Sequence, residues 1–239
     1  MTDLADFLIA AQRAGQAHAY DGPPPETEAE AYAVQARVSA AFGAVGGFKV
    51  ARSSAGATRF APIRADRCHA SDTVIPDRPP LIAEVEIGWR IVAALPAAGA
   101  ADFAQRLAAA VRPVAAIELC AARLAGPQAK VPLLQLADGL SGHGLVTATP
   151  LADWDGSDFT EVTLAAAIDG QPVFDGPARV PGGSAFASLA ALVAVLGDHC
   201  GGLHPGQTVI TGSLLPPVAL PVGARLAATI NGLGTIAIG

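Results

Sequence analysis

The chain has 239 residues, 51% hydrophobic and 15% charged, with a formal net charge of −6. That balance specifies a packed core rather than a disordered chain, and scattered Lys and Arg in an acidic protein give no basic surface for nucleic acid. Cys68, Cys120 and Cys200 lie far apart and form no C-x-x-C pair, which excludes a zinc ribbon and a disulfide framework.

The first residues carry acids before apolar side chains, unlike a secretory leader. Leu4, Phe7, Leu8 and Ala11 recur at helical spacing. Prolines in DGPPPETEAE stop that helix. Thr27, with Glu30 three residues on, forms a capping box for a second helix through EAEAYAVQARVSAAF, which Gly43, Gly46 and Gly47 end. Residues 1–46 are expected to make a helical layer on a β-rich body spanning 47–239.

In that body, strands are expected at 47–51, 82–92, 113–119, 143–149, 162–168, 208–212 and 224–230, between Gly/Pro breaks. ARSSAGATRFAPIRADR reads as a basic loop carrying Arg52, Arg59 and Arg64. Ser53 and Ser54 within it lack a G-x-S-x-G elbow and are assigned to the loop. Helices are expected at 101–111 and 184–200. The second is apolar on most sides and should be buried, with VFDGPARVPGG as the loop before it. Trp89 and Trp154 should fill core or interface space. The fold class is α+β. No G-x-G-x-x-G or Walker loop is present. The most apolar stretch meets a charge after about 12 residues, too short to span a bilayer, so a cytoplasmic protein without a membrane partner is expected.

Three acids break the apolar runs: Glu84 and Glu86 in PLIAEVEIGWRI, and Glu118 in PVAAIELCAARL. Burying an unpaired carboxylate is costly. Alternate strand residues share a face, so Glu84 and Glu86 project together, roughly 7 Å apart along the backbone. Like charges that close need a cation or a shared proton. With Glu118 on a neighbouring strand, the simplest occupant is a hard divalent ion such as Mg²⁺ or Mn²⁺. An edge strand with one solvated face would also explain the pair. The histidines lack zinc-ligand spacing, and His143, near Asp138 in sequence, is the one candidate proton carrier.

Six motifs occur in order: EAYAVQ at 30–35, GFKV at 47–50, P-x-x-x-E-V-E at 80–86, AIEL at 116–119, LADG at 136–139 and L-x-P-G-Q-T-V-I-T-G-S at 203–213. Together they resemble the 2-keto-4-pentenoate hydratase and 4-oxalocrotonate decarboxylase group of the fumarylacetoacetate hydrolase superfamily, over about residues 4–238. The resemblance implies a mixed β-roll and a lyase acting on a 2-oxo or 2-hydroxy-dienoic acid. It makes Glu84, Glu86 and Glu118 the metal ligands and places Lys49 and Asp138 in catalysis. Arg123, Ser141, Thr211 and Gly212 fall to substrate binding. It also implies a homo-oligomer, with a pathway partner as a further possible complex. A divalent ion acts as a Lewis acid toward a 2-oxo acid and stabilises its enolate, and a nearby lysine can balance that charge or move a proton, particularly with a lowered pKa.

The motifs also depart from the family pattern. Its A-D-N reads Ala137-Asp138-Gly139, its D-S-R reads Ala121-Ala122-Arg123, and the family's acidic loop is replaced by the basic segment after Lys49. Arg52, Arg59 and Arg64 are therefore candidates for binding a different acidic substrate. Two other functions stay open at this point: an acylpyruvate-type C–C bond hydrolase, and a metal-binding homologue without turnover that serves as an assembly subunit.

Overall fold

The computed structural model describes residues 3–53, 56–75 and 79–239; Ser54 lies outside them. Helix α1 (Leu4–Ala14) leads through the two-residue β1 (His18–Ala19) to α2 (Glu28–Ala40). A hairpin of β2 (Val45–Arg52) and β3 (Thr58–Arg64) follows, then β4 (Cys68–Ala70) and the long β5 (Leu81–Ile91). Helix α3 (Phe103–Ala110) runs straight into β6 (Val111–Cys120), and β7 (Leu124–Ala125) and α4 (Pro132–Ala137) precede β8 (Gly142–Thr147). The rest comprises β9 (Glu161–Ile168), β10 (Gln171–Arg179), α5 (Ala185–Val195), β11 (Thr208–Ser213), β12 (Val218–Leu220), β13 (Leu226–Ile230) and β14 (Gly234–Ile238).

The large sheet runs β3-β2-β11-β5-β6-β8-β4, with β12 paired to β5, and mixes parallel and antiparallel neighbours. A second sheet, β10-β9-β13-β14, is wholly antiparallel. Alternation divides the large sheet into two faces. Phe48, Val50, Val85, Ile87, Trp89, Ile117 and Leu119 point one way and form the main core with the second sheet and α5. Trp89 is fully buried there, packed edge-on against Trp154 with ring centroids 5.0 Å apart. Lys49, Glu84, Glu86, Glu118 and Cys120 occupy the opposite face by the same alternation.

The helical layer has its own small core of Leu4, Leu8, Tyr20, Ala31, Leu124, Leu134, Leu136 and Ala137. Helix α1 starts on Asp3, whose carboxylate accepts from the Ala5 and Asp6 amides at 2.9 and 3.3 Å. It ends at Gly15 in the left-handed region. Thr27 caps α2 as expected, but the Glu30 carboxylate accepts from the amide of Glu26 at 2.8 Å, one residue before the cap. The layer is not confined to 1–46. Helix α4 packs in it, and β1 pairs with β7, so residues from mid-chain complete the layer.

Several expected loops are strands. The basic segment after Lys49 folds back as β3, which pairs along β2 from Val45 to Arg52. The segment before α5 is β10, joined to β9 by Asp169-Gly170, both at positive φ; Asp-Gly is the sequence that such a tight hairpin turn favours. Helix α5 is capped by Ser184, whose hydroxyl accepts from the Ala187 amide at 2.8 Å. It buries a stripe of Ala185, Ser188, Leu189 and Leu192 rather than its whole circumference, and Val195 is 53% exposed. No helix among the described residues is long and apolar enough to cross a membrane.

Candidate active site

β5 and β6 place Glu84 directly opposite Glu118, and Glu86 opposite Ala116. On the other side of β5, β11 reaches Glu86 through Ser213 after a bulge between Ile210 and Ser213. The three carboxylates thus share one face of two central strands. Glu86 is 1% and Glu118 0% exposed, while Glu84 is half-buried at the wall of a cleft of about 720 Å³. Lys49, Cys120, Arg123, Ser141 and His143 also line this cleft, and the C-terminal end of α1 faces them.

Lys49 enters from β2, which runs parallel to β11 with Lys49 in register with Ile210. Its Nζ donates to Glu118 Oε1 at 2.6 Å and to the Leu140 carbonyl at 3.1 Å. Burial alone would favour the neutral amine, but the adjoining Glu118, with Cys120 and Glu86, raises the lysine above its ordinary value. Of the two roles open to a lysine here, balancing charge and moving a proton, this environment favours the first: Lys49 is an ammonium and holds its proton. Burial and the Glu118 charge raise Glu84, and the same two causes raise Glu86 further.

Glu118 Oε2 is buried and, among the described residues, has no hydrogen-bond partner. An orphaned carboxylate oxygen in a dry site is unfavourable unless something positive meets it. With Glu84 opposite and Glu86 beside it, these carboxylates offer oxygen donors that a divalent cation accepts. The residues present fit such an ion.

The remaining candidate residues hold the site together more than they face it. Arg123 Nε donates to Asp138 Oδ1 at 2.6 Å, and the Arg123 amide donates to Asp138 Oδ2 at 3.1 Å. The guanidinium also donates to the carbonyls of Ala121 at 2.8 Å, Gly142 at 2.6 Å and Asp138. Burial pushes the Asp138 carboxyl up, and Arg123 opposes that shift. Asp138, expected in catalysis, is thus engaged with Arg123 on both oxygens. The pair fixes the turn 138–142, where Leu140 and Ser141 take φ of 52° and 61°. That turn supplies the carbonyl that Lys49 holds and presents Ser141 to the cleft.

Thr211 is buried, and its hydroxyl donates to the Ile87 carbonyl at 2.9 Å, so it braces β11 to β5 and offers the cleft no free donor. Gly212, at φ 108° in the bulge, turns its amide onto Glu86 Oε2 at 2.6 Å. A side chain there would meet Pro181 at 3.0 Å, so both space and φ call for glycine. Thr211 and Gly212, expected at the substrate, thus both bond to the acid-bearing strand β5. Arg59 and Arg64 are likewise committed, to Glu28 at 2.8 Å and Asp66 at 2.5 Å. Ser53 accepts from the Ala57 amide at 3.1 Å in the β2–β3 turn.

His143 lines the cleft with Nε2 3.2 Å from Arg67 Nη1. A guanidinium only donates, so Nε2 accepts. Burial, then Arg67, Arg123, Arg64 and His69, push this histidine down to about 4. It is neutral at pH 7, and its lowered folded value means that acid favours the unfolded chain. This contribution to stability is intact above the ordinary histidine value and is lost as pH falls toward about 4. In urea titrations, His143→Gln is expected to reduce the stability lost between pH 7 and pH 4.5 by ~2 kcal/mol relative to the parent. Equal losses would show that the ring titrates normally.

Cys120 was not singled out from the sequence, yet it belongs to this face. Its thiol is free, and it lies two residues from Glu118 on β6.

No protein-family model matches the sequence. Among solved structures, the chain is similar to 4-oxalocrotonate decarboxylase from Pseudomonas putida G7 complexed with magnesium and adipate. That match has a TM-score of 0.82 over 98% of this chain and 95% of that one, at 20% identity. It is also similar to fumarylpyruvate hydrolase from Pseudomonas aeruginosa in complex with Mn²⁺ and pyruvate, with a TM-score of 0.56 over 82% and 89% of the two chains at 15% identity. A third similar structure is 5-carboxymethyl-2-hydroxymuconate delta-isomerase from Mycobacterium smegmatis, with a TM-score of 0.57 over 82% and 78% at 17% identity. The α+β fold is the one these enzymes share, as expected for a roll of the fumarylacetoacetate hydrolase type.

Proposed function

We propose that the cleft is the active site of a divalent-metal-dependent lyase, a divergent member of the fumarylacetoacetate hydrolase superfamily that acts on a 2-oxo or 2-hydroxy-dienoic carboxylic acid. The observation that carries this reading is the buried, unpartnered Glu118 Oε2 on a face shared with Glu84 and Glu86. Glu84 and Glu118 would hold the ion, with Glu86 beside them, oriented by the Gly212 amide. When bound, Mg²⁺ or Mn²⁺ supplies Lewis acidity toward a 2-oxo carbonyl.

The chain's own groups supply the rest. The Lys49 ammonium, fixed between Glu118 and Leu140, stabilises negative charge developing on the substrate and holds a proton at Nζ. Ser141 offers a hydroxyl at the cleft wall. The Arg123–Asp138 pair positions that wall. Apolar surface predominates in the cleft, from Leu81, Ile82 and Leu140 among others, which limits water around a charged intermediate. Support for a lyase over a C–C hydrolase comes from the extent of likeness: the decarboxylase matches nearly the whole chain, and the hydrolase 82% of it.

Metal analysis of the parent and Glu84→Ala, with ultraviolet monitoring of a panel of 2-oxo-enoic and acylpyruvic acids, tests this. One ion per chain is expected in the parent, and affinity lower by at least about 10–100-fold in the variant. Turnover is expected only with ion bound. Unchanged ion content in Glu84→Ala removes the site, and a loaded protein that binds 2-oxo acids without converting any sinks the enzymatic reading.

A further inference from the structure

The alternation that groups the glutamates also brings a sulfur to them. Cys120 follows Glu118 by two residues on β6 and stands opposite Ile82, one step along the face from the Glu84–Glu118 pair. Its Sγ and one carboxylate oxygen each of Glu84 and Glu118 all lie within 4.8 Å of one another. Cys120 is 9% exposed, and its thiol is in no disulfide. Glu118, wholly buried, has one oxygen taken by Lys49 and the other without a hydrogen-bond partner among the described residues. One oxygen of Glu86 is occupied by the Gly212 amide, and Glu86 is not part of that cluster of three.

We propose that Cys120 is a ligand of the ion held by Glu84 and Glu118, and that its sulfur turns the site's preference from Mg²⁺ toward Zn²⁺ and Co²⁺. The inference rests on the cleft binding a divalent ion at all, as proposed above. Mg²⁺ demands a near-octahedral shell of oxygens and gains little from sulfur. Zn²⁺ and Co²⁺ accept mixed sulfur and oxygen donors, and zinc takes thiolate at about 2.3 Å in small coordination shells. On binding, the S–H bond breaks, a sulfur–metal bond forms, and the proton leaves through the cleft to solvent, as for any thiol ligand. Burial among strands fixes Cys120 in place and limits competing thiol chemistry.

The test is titration of the metal-free protein with Co²⁺, followed by near-ultraviolet absorbance and by direct measurement of bound cobalt. The parent is expected to show a sulfur-to-cobalt charge-transfer band that saturates at one equivalent. A Cys68→Ser/Cys200→Ser double variant should keep that band. Cys120→Ser, and the more apolar Cys120→Val, should bind cobalt without it. Zn²⁺ affinity should fall roughly 10–100-fold in both Cys120 variants, the range reported for losing even an indirect metal contact, while Mg²⁺ affinity stays unchanged. Cobalt bound to the parent without the band overturns the thiolate ligand and leaves the carboxylate site standing, as does a band that survives in Cys120→Ser. A parent that binds no cobalt overturns this inference together with the metal site beneath it.

Discussion

Lys49→Met is expected to destabilise the ion-free protein by about 3–5 kcal/mol, the cost of stranding one partner of a buried ion pair. The same change should cost the ion-loaded protein far less. Lys49 is only slightly exposed, Glu118 not at all, and the two meet at 2.6 Å. Removing the ammonium leaves Glu118, Glu84 and Glu86 facing one another with no cation from this cluster. A divalent ion supplies the missing charge directly. In the parent, an ion at about one hundred times its Kd stabilises the fold by roughly 2.7 kcal/mol. In Lys49→Met that stabilisation should be larger, because the ion then relieves repulsion that the lysine relieves in the parent.

Glu118→Gln should behave differently. It removes an acid from a crowded cluster, so Lys49 keeps Glu86 and Glu84 as neighbours and the ion-free loss is smaller. Added Mn²⁺, however, should give little stabilisation, since the orphaned oxygen that receives it is gone. Urea unfolding of the parent and both variants, with and without Mn²⁺, reads all of this. Equal losses for Lys49→Met in the two conditions would show that ion and lysine do not serve the same charges.

The acid site was legible because one rule governs it. A strand alternates its faces, so Glu84-x-Glu86 in an apolar run predicts two carboxylates on one side, and register with β6 adds Glu118. The same rule, applied to Glu118-x-Cys120, identifies the cysteine, but a lone thiol in an apolar strand reads as core. Lys49 enters the same cleft, but its contact with Glu118 is set by pairing between β2 and β11, which sequence does not show. β3 and β10 were missed because their Arg, Pro, Asp and Gly content weakens the apolar alternation; edge and hairpin positions tolerate those residues. Helix α4 has six residues, too few to display a period. The expected substrate contacts of Thr211 and Asp138 rested on motif position alone. In the fold, one hydroxyl closes a strand and the other residue's carboxylate closes a turn.

That turn yields the second large effect. Arg123→Met is expected to destabilise the protein by about 3–5 kcal/mol, with or without ion, because it strands the Asp138 carboxylate in a buried site. Asp138 is 4% and Arg123 7% exposed, and the arginine bonds to three carbonyls besides the carboxylate. Asp138→Asn should cost less, since the amide oxygen can still accept from the Arg123 backbone or guanidinium, although it leaves the guanidinium without its charge partner. Both changes loosen the segment that carries Leu140 and Ser141, so Lys49 loses a firm carbonyl partner at 3.1 Å. Ion affinity should nevertheless be nearly unchanged, because neither residue reaches the carboxylate cluster. Turnover, where it is retained, should fall mainly in kcat, as expected when a group that meets developing charge is misplaced. The alternative role, direct capture of the substrate acid by Arg123, predicts a rise in KM with kcat preserved and rescue by Arg123→Lys. Lysine cannot reproduce the fork that reaches Asp138 and three carbonyls together, so failure of that rescue, with a loss of stability to match, identifies the pair as the frame of the site.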